Sequence, residues 1–505
     1  MRGYLQNEGL LYVADERVKR NVFLNKKADD GNLPIFEKVR EKLPVPVWEG
    51  HESAINCYFK AWQIAFGNLR KANVAAGFVS DYIDTAFNGN LFMWDSSFIV
   101  MFGKYGARAF DFQKTLDNFY SHQHKDGFIC REILENQPGD QWARDDPAST
   151  GPNILPWAEW EYYLFSGDKE RLKKVFDPLC AYHNWFRLHR SWQDGSYFSC
   201  GWACGMDNIP RQQAGYNEEA SHGFMSWIDT CAQQYLSADL LIKIGAEIGR
   251  ESETEELKHE RARLKKIING KMWNAKMSFY CDKFRDGSLS NVKTVGSYWT
   301  LLAGIVPKNR VEKFIAHLQN ENEFKRRTPI PALSADSPAY QSDGGYWRGG
   351  VWAPTNYMVL RGLQKYDHTS AAYDIACEYL KTVVSVFEKT GTLYENYAPD
   401  FRKAGMPAKK DFVGWTGLAP ISILLEFVFG IRGNAVRDTV VWEIRRMEKH
   451  GVMHYPFKNA NIDLLYEGEF DENGFPIVKI GSDIPVNIEI RYGGKKKLYR
   501  DITKL

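Results

Sequence analysis

The chain has 505 residues, enough to bury one large core and still carry a smaller appended unit. Hydrophobic residues make up 44% and charged residues 25%, which excludes a disordered or collagen-like chain. With 65 basic and 63 acidic residues intermixed, the formal charge is only +2, so the electrostatic footprint of a nucleic-acid binder is missing.

In chain order, residues 1–45 are polar and form an expected arm or cap. They lack the apolar core and cleavage site of a secretory signal. Nowhere does the chain reach the roughly 18 consecutive apolar residues of a membrane span. The expectation is a soluble, cytoplasmic protein with no membrane or nucleic-acid partner. Helical periodicity begins with Ile55, Tyr58, Phe59, Trp62, Phe66 and Leu69. Further helices are predicted to start near Trp94, Ala107, Asn153, Glu170, Gly223, Glu253, Lys293, Asn309, Trp347, Ser370 and Trp415. About twelve helices pair into six hairpins, joined by long loops rich in Gly, Pro, Asp and Asn. Residues 46–433 are therefore expected to form a helical barrel. Beyond 434 the period changes to two: Ile462, Leu464 and Tyr466, then Val486, Ile488, Ile490 and Tyr492, alternate with polar neighbours. Residues 434–505 are expected to be a small antiparallel β unit packed on the barrel. The Lys495, Lys496, Lys497 run is expected to be a solvated turn.

Eight cysteines are scattered without framework spacing, as buried free thiols would be. Cys200 and Cys204 have no matching second pair, so no metal and no cofactor are expected. Aromatic residues reach 14%, with 16 Trp. They can fill a large core, or stack on sugar rings while acids, Arg and Asn bond the hydroxyls.

Four segments concentrate polar and aromatic residues at helix boundaries. In Phe92-Met-Trp-Asp-Ser-Ser-Phe98, Trp94 offers a stacking face beside the carboxylate of Asp95, which a helix N-cap would use equally well. In Gly201-Trp-Ala-Cys-Gly-Met-Asp-Asn-Ile-Pro-Arg211, apolar neighbours would raise the pKa of Asp207 as a general acid requires, though Asp207 could instead cap a turn or pair with Arg211. In Tyr346-Trp-Arg-Gly-Gly-Val-Trp-Ala-Pro-Thr-Asn-Tyr357, Arg348 crowds with two indoles around a glycine pair. In Gly391-Thr-Leu-Tyr-Glu-Asn-Tyr397, Glu395 between two tyrosines could activate water or be a surface glutamate, and Phe412-Val-Gly-Trp-Thr-Gly417 then opens the last helix.

In this order the motifs WDSSF, GMDNIPR, YWRGGVWAPTNY, YENY and FVGWTGL resemble glycoside hydrolase family 63, in particular its mannosylglycerate-hydrolase-like branch, with trehalases more distant. The likeness spans roughly residues 45–430. It implies a mainly α fold, an (α/α)6 toroid of the six-hairpin glycosidase type, and an inverting hydrolase acting on an α-linked glucoside or mannoside. On that resemblance Asp207 aligns with the general acid and Glu395 with the general base. Trp94, Asp95, Trp202, Trp347, Arg348 and Trp352 align with sugar-subsite positions, and Trp415 lies close by. Their motif neighbours Asn208, Arg211, Tyr346 and Tyr394 complete the candidate substrate-binding set. An inverting pair stands about 6.5–9.5 Å apart, with a water between. The second glycine of RGGVW, the GWACG turn and the loop RDDPASTGP depart from the common family forms, so pocket shape is the feature least carried over.

Two other classes compete. An (α/α)6 toroid can host a rhamnosidase or a polysaccharide lyase, but balanced charge argues against a basic lyase cleft. A catalytically inactive sugar-binding relative would have no need to keep both carboxylates. Neither the sugar nor the oligomeric state is legible in the sequence.

Overall fold

The computed structural model describes residues 13–85 and 87–505, so the first twelve residues of the expected arm lie outside it. The principal helices are α1 (Glu52–Gly67), α2 (Met93–Gly103), α3 (Asp117–Ser121), α4 (Leu155–Ser166), α5 (Lys169–His189), α6 (Ile228–Glu247), α7 (Glu255–Lys271), α8 (Trp299–Ala303), α9 (Lys308–Ile315), α10 (Ala353–Lys365), α11 (Thr369–Thr390) and α12 (Ala419–Val428). Single turns such as Phe36–Val39 and Gly201–Cys204 lie between them.

Burial divides the helices into two rings. Every residue of α2 is buried, as are all residues of α12 and all of the first eight of α10. A helix apolar on all sides belongs inside. By contrast α7 buries only Leu257, Glu260, Leu264, Ile267 and Ile268, one stripe of an otherwise charged helix. The inner helices touch in a closed cycle: α2 with α4, α4 with α6, α6 with α8, α8 with α10, α10 with the 415–428 segment, and that segment with α2. The odd-numbered helices pack outside. This closure is the (α/α)6 toroid.

Several helices begin later than their apolar pattern suggests. Gly223 and Phe224 form a turn with positive φ, and Ser226 exchanges backbone hydrogen bonds of 2.8 and 3.1 Å with Lys283, so α6 starts only at Ile228. Near Ala107 the helix is delayed to a 3-10 turn at Phe112–Leu116 that leads into α3. Residues Tyr346–Arg348 form a 3-10 turn, with α10 starting only at Ala353. In each case apolar side chains reach the core from non-helical backbone.

Seven strands make one sheet: β1 (Val45–Trp48), β2 (Ile431–Asn434), β3 (Thr439–Glu443), β4 (His450–Phe457), β5 (Ala460–Phe470), β6 (Pro476–Tyr492) and β7 (Lys495–Lys504). The order is β1-β4-β5-β6-β3-β2, with β7 also on β6. All pairs are antiparallel except β3 with β6. Ile462, Leu464 and Tyr466 are buried and their neighbours are not, as the alternation predicts. The YGGK turn has positive φ at both Gly493 and Gly494, the backbone a two-residue hairpin loop demands. The edge strand β1 comes from ahead of the first helix, a pairing no local pattern announces.

The sheet lies against the C-terminal ends of inner helices. Tyr455 packs 5.8 Å from both Tyr105, just past α2, and Phe165 in the last turn of α4, while Trp48 meets Phe429, just past α12, edge-on at 5.5 Å. The N-terminal segment lies along the outside of the barrel, with Phe23 5.1 Å from Tyr120 and Arg20 paired to Asp177 at 2.6 Å. Every cysteine is a free thiol, buried except for the half-buried Cys377. Among the described residues no helix is long and apolar enough to cross a membrane.

Candidate active site

With the sheet at one end, the loops that lead from each outer helix into the next inner helix gather at the other. Five of these six loops, with the adjoining turns, wall a pocket: Phe87, Phe92, Trp94 and Asp95 before and at α2; Arg131, Gly151 and Pro152 before α4; Trp202, Gly205 and Asp207 before α6; Tyr346 and Trp347 before α10; Trp415 before α12.

Each wall residue is fixed by its own local structure. A short ribbon pairs Asn90–Phe92 with Glu132–Leu134, and the Met93 N–H donates to the Arg131 carbonyl at 2.7 Å. This sets Trp94 and Asp95 in the first turn of α2, where Phe92, not Asp95, is the N-cap. The single turn Gly201–Cys204 ends at Gly205, whose φ of 75° is left-handed. A side chain at Gly205 would come within 3.0 Å of the Trp94 indole, and one at Gly201 within 2.1 Å of the Asp207 carbonyl. Glycine at both places lets the segment fold tightly enough to put Asp207 beside Trp94.

The GMDN and YWRGG segments are clamped together by Asn208. Its Oδ1 accepts from the Trp347 N–H at 2.9 Å and its Nδ2 donates to the Gly345 carbonyl at 3.1 Å. Trp347 stacks on Trp352 with ring centroids 4.0 Å apart and planes 4° from parallel. Trp415 meets Trp352 edge-on at 5.7 Å and donates its Nε1–H to the Glu395 carbonyl at 2.9 Å. The Lys409 N–H donates to Glu395 Oε2 at 3.0 Å, and Tyr346 reaches Oε1 at 3.5 Å. Glu395 is thereby a buried group, 4% exposed, and no surface glutamate.

Three carboxylates surround the Tyr346 hydroxyl: Asp207, Glu395 and Asp95 all push its pKa up, after burial, which has the largest effect. Burial raises Asp207 to about 7; Arg131 opposes the shift, and Glu219 and Glu395 add to it. Burial likewise raises Glu395, against the Lys409 N–H and charge and the Tyr346 hydroxyl. Burial also lifts Asp95 well above the usual range, with Glu395 and Asp84 contributing. Among the described residues no salt bridge reaches Asp207 or Glu395. Asp207 lines this pocket, and Glu395, outside its lining, meets the wall residue Tyr346; two raised carboxyls brought this near one ligand site can act as proton donor and proton acceptor.

Not every expected residue faces this pocket. Arg211 is 1% exposed, and its guanidinium is held by Asp229 at 2.6 and 3.1 Å and by Asp282 at 2.6 and 2.8 Å, over the Trp227 ring. It therefore does not pair with Asp207. Arg348 bonds Glu218 at 2.6 Å, tying the 205–227 loop to the YWRGG turn. Trp352 and Asn208 stand behind the wall, and the backbone of Tyr394 accepts from Thr416 at 2.8 Å. Trp94, Asp95, Trp202, Asp207, Tyr346, Trp347 and Trp415 do line the pocket. Sequence reasoning missed Phe87, Phe92, Arg131, Gly151, Pro152 and Gly205. The Arg131 position depends on the ribbon with Asn90–Phe92, a pairing invisible to local periodicity.

A closed ring of helix hairpins with a tryptophan-walled carboxylate pocket at one end is the construction of a six-hairpin glycosidase. The profile of the mannosylglycerate hydrolase MGH1-like glycoside hydrolase domain matches residues 88–416, and the chain belongs to that family of glycoside hydrolases. It is 26% identical over 73% of its length to an uncharacterized protein of Borreliella burgdorferi, covering 77% of that protein. It is 29% identical over 54% of its length to the probable mannosyl-oligosaccharide glucosidase of Schizosaccharomyces pombe, spanning only 34% of that relative's length. In structure it resembles the GH63 mannosylglycerate hydrolase of Thermus thermophilus in complex with glucose, with a TM-score of 0.60, 20% identity, and 72% of this chain and 99% of that one covered.

Proposed function

We propose that this protein hydrolyses an α-linked glucoside or mannoside with inversion, Asp207 acting as general acid and Glu395 as general base. The observation that carries the proposal is the set of carboxyls around Tyr346, with no salt bridge to Asp207 or Glu395 among the described residues and Asp207 raised to about 7 by burial. A carboxylic acid with that pKa stays protonated near neutrality and can give its proton to the leaving oxygen. Glu395 is oriented by the Lys409 N–H and the Tyr346 hydroxyl, and as a carboxylate it takes the proton from a water attacking the opposite face of the sugar. Trp94, Trp347 and Trp415 supply the apolar walls on which a pyranose ring stacks, and Asp95 accepts from its hydroxyls. Residues 46–433 form the catalytic unit on this reading, and 434–505 brace it from below.

The glucoside and mannoside preference rests on what the relatives are named for, a mannosyl-oligosaccharide glucosidase and a mannosylglycerate hydrolase. The test is sugar release from a panel of α- and β-linked glucosides, mannosides, galactosides and rhamnosides, with Asp207→Asn and Glu395→Gln as controls. Proton NMR of the first product reads the anomer. Release of a β sugar from an α-glycoside, lost in both variants, is the expected result. Release of an α sugar would overturn inversion, and turnover that survives either substitution would overturn the assigned roles.

A further inference from the structure

Five of the six loops on the pocket face build the pocket. The remaining one, residues 272–298 between α7 and α8, contributes to a second hollow on the same face, lined by Trp192, Gln193, Phe224, Lys283 and Arg285 among others. Trp192 lies on the stretch that precedes the Asp207 turn, and Phe224 on the stretch that follows it. The hollow thus flanks the loop that carries the proposed acid.

Three features of this hollow are hard to explain as packing. The Phe224 ring is 45% exposed although its backbone is held at φ 50°, a left-handed conformation that a bulky side chain adopts at a cost, here with little burial in return. Trp192 lies 23° from parallel to it at 6.4 Å, and Tyr216, 38% exposed, is 6.0 Å from Phe224. Phe224 and Tyr216 are exposed and Trp192 half-buried, with His222 edge-on to Phe224 at 4.6 Å, so the rings form a partly exposed aromatic patch. At their rim Arg285, 5.6 Å from the Phe224 centroid, and the exposed Gln193 make no hydrogen bond or ion pair among the described residues. Their donors are open. The position of Trp192 is itself fixed, because its Nε1–H donates to the Met225 carbonyl at 2.9 Å and its ring packs 4.6 Å from Phe198.

From these rings and their open donors we infer a second carbohydrate-binding surface, a distal subsite on the leaving-group side that holds the far end of an oligosaccharide or glycoconjugate substrate. Flat aromatic faces bordered by free amide and guanidinium donors are the chemistry that recognises a sugar's C–H face and its hydroxyls. The leaving group departs beside the acid, so a substrate longer than one sugar runs toward the loops that flank Asp207. This inference rests on the roles proposed above, because it takes Asp207 to mark the leaving-group side.

Binding to Asp207→Asn protein separates the two proposals, since it needs no turnover. Isothermal titration with gluco- and manno-oligosaccharides of increasing length is expected to show affinity rising at least tenfold from the monosaccharide to the longest chain. Adding Trp192→Ala or Phe224→Ala is expected to remove that gain and leave monosaccharide affinity unchanged. In the active enzyme the same substitutions should raise KM for oligosaccharides and leave kcat/KM for aryl glycosides intact, which also verifies folding. The exposed Arg285→Ala supplies a variant with little risk to the fold. Affinity independent of length, or a length-dependent gain that survives all three substitutions, would overturn the second surface. Failure of every glycoside to react would instead count against the proposed function and leave the binding result to decide this one.

Discussion

The two ends of the barrel treat buried carboxylates in opposite ways. At the sheet-covered end, Glu426 on α12 is 2% exposed and receives the Lys104 ammonium at 2.9 Å and the Tyr105 and Tyr357 hydroxyls at 2.9 Å. Burial alone would raise it, but the charges of Lys104 and Arg361 outweigh burial and hold it below the usual range. At the open end, Asp207 and Glu395 are enclosed by protein with no salt bridge among the described residues, and both are raised. Burial is common to both ends. What differs is the counter-ion, and a buried carboxyl without one holds a proton more tightly, which a substrate can use.

The largest effect expected on this contrast is in catalysis. Asp207→Asn removes the proton but keeps the shape, and should lower kcat on an aryl glycoside with a poor leaving group by about 10²–10⁴-fold. A glycosyl fluoride, whose departure needs little protonation, should lose far less. Because the substitution replaces an unpaired buried acid, the urea midpoint should stay the same or rise. A parallel loss on both substrates, or a fall in stability, would mean that Asp207 is structural.

At the other end the effect should be in stability alone. Glu426→Gln strands the Lys104 ammonium, 5% exposed, without its carboxylate, and removing one partner of a buried pair costs about 3–5 kcal/mol. Urea denaturation should show this loss, while kcat measured below the transition stays within about twofold of wild type. A comparable kcat loss in both variants would erase the distinction between the ends.

Part of this contrast is legible in the sequence. Apolar periodicity indicates about twelve helices and their pairing, and the motif order leads to the expectation that Asp207 and Glu395 share one site. The partners are not legible. Arg211 is four residues from Asp207 and reads as a counter-ion for it, yet it turns to Asp229 and Asp282, from α6 and the loop beyond α7. Arg131 enters the pocket through a ribbon that pairs residues some forty positions apart. A sequence names the titratable groups, but long-range folding decides which of them are neutralised. The same holds for β1, which joins a sheet formed almost entirely by the other end of the chain.

The pH profile sharpens the contrast further. As the proposed general acid Asp207 would have to be protonated, so kcat/KM should fall as pH rises through about 7, approaching tenfold per unit above it. As the proposed general base Glu395 would have to be ionised, so activity should also fall on the acid side, at a pH above the ordinary glutamate value because its pKa is raised. A plateau that extends past about pH 9 would contradict an acid with that pKa.

The smallest effect belongs to Tyr346. Its hydroxyl favours the ionised form of Glu395 across 3.5 Å, a long hydrogen bond, so Tyr346→Phe should cost only about tenfold in kcat/KM. The sign of the accompanying shift is the better readout. Without the hydroxyl, the Glu395 carboxylate loses one of the groups that hold its pKa down, so the acid limb should move to higher pH. The alkaline limb should move little or slightly downward, because more of Glu395 then stays neutral beside Asp207. An acid limb that stays in place while kcat falls would make Tyr346 a wall of the sugar pocket only, and would leave the orientation of Glu395 to the Lys409 N–H.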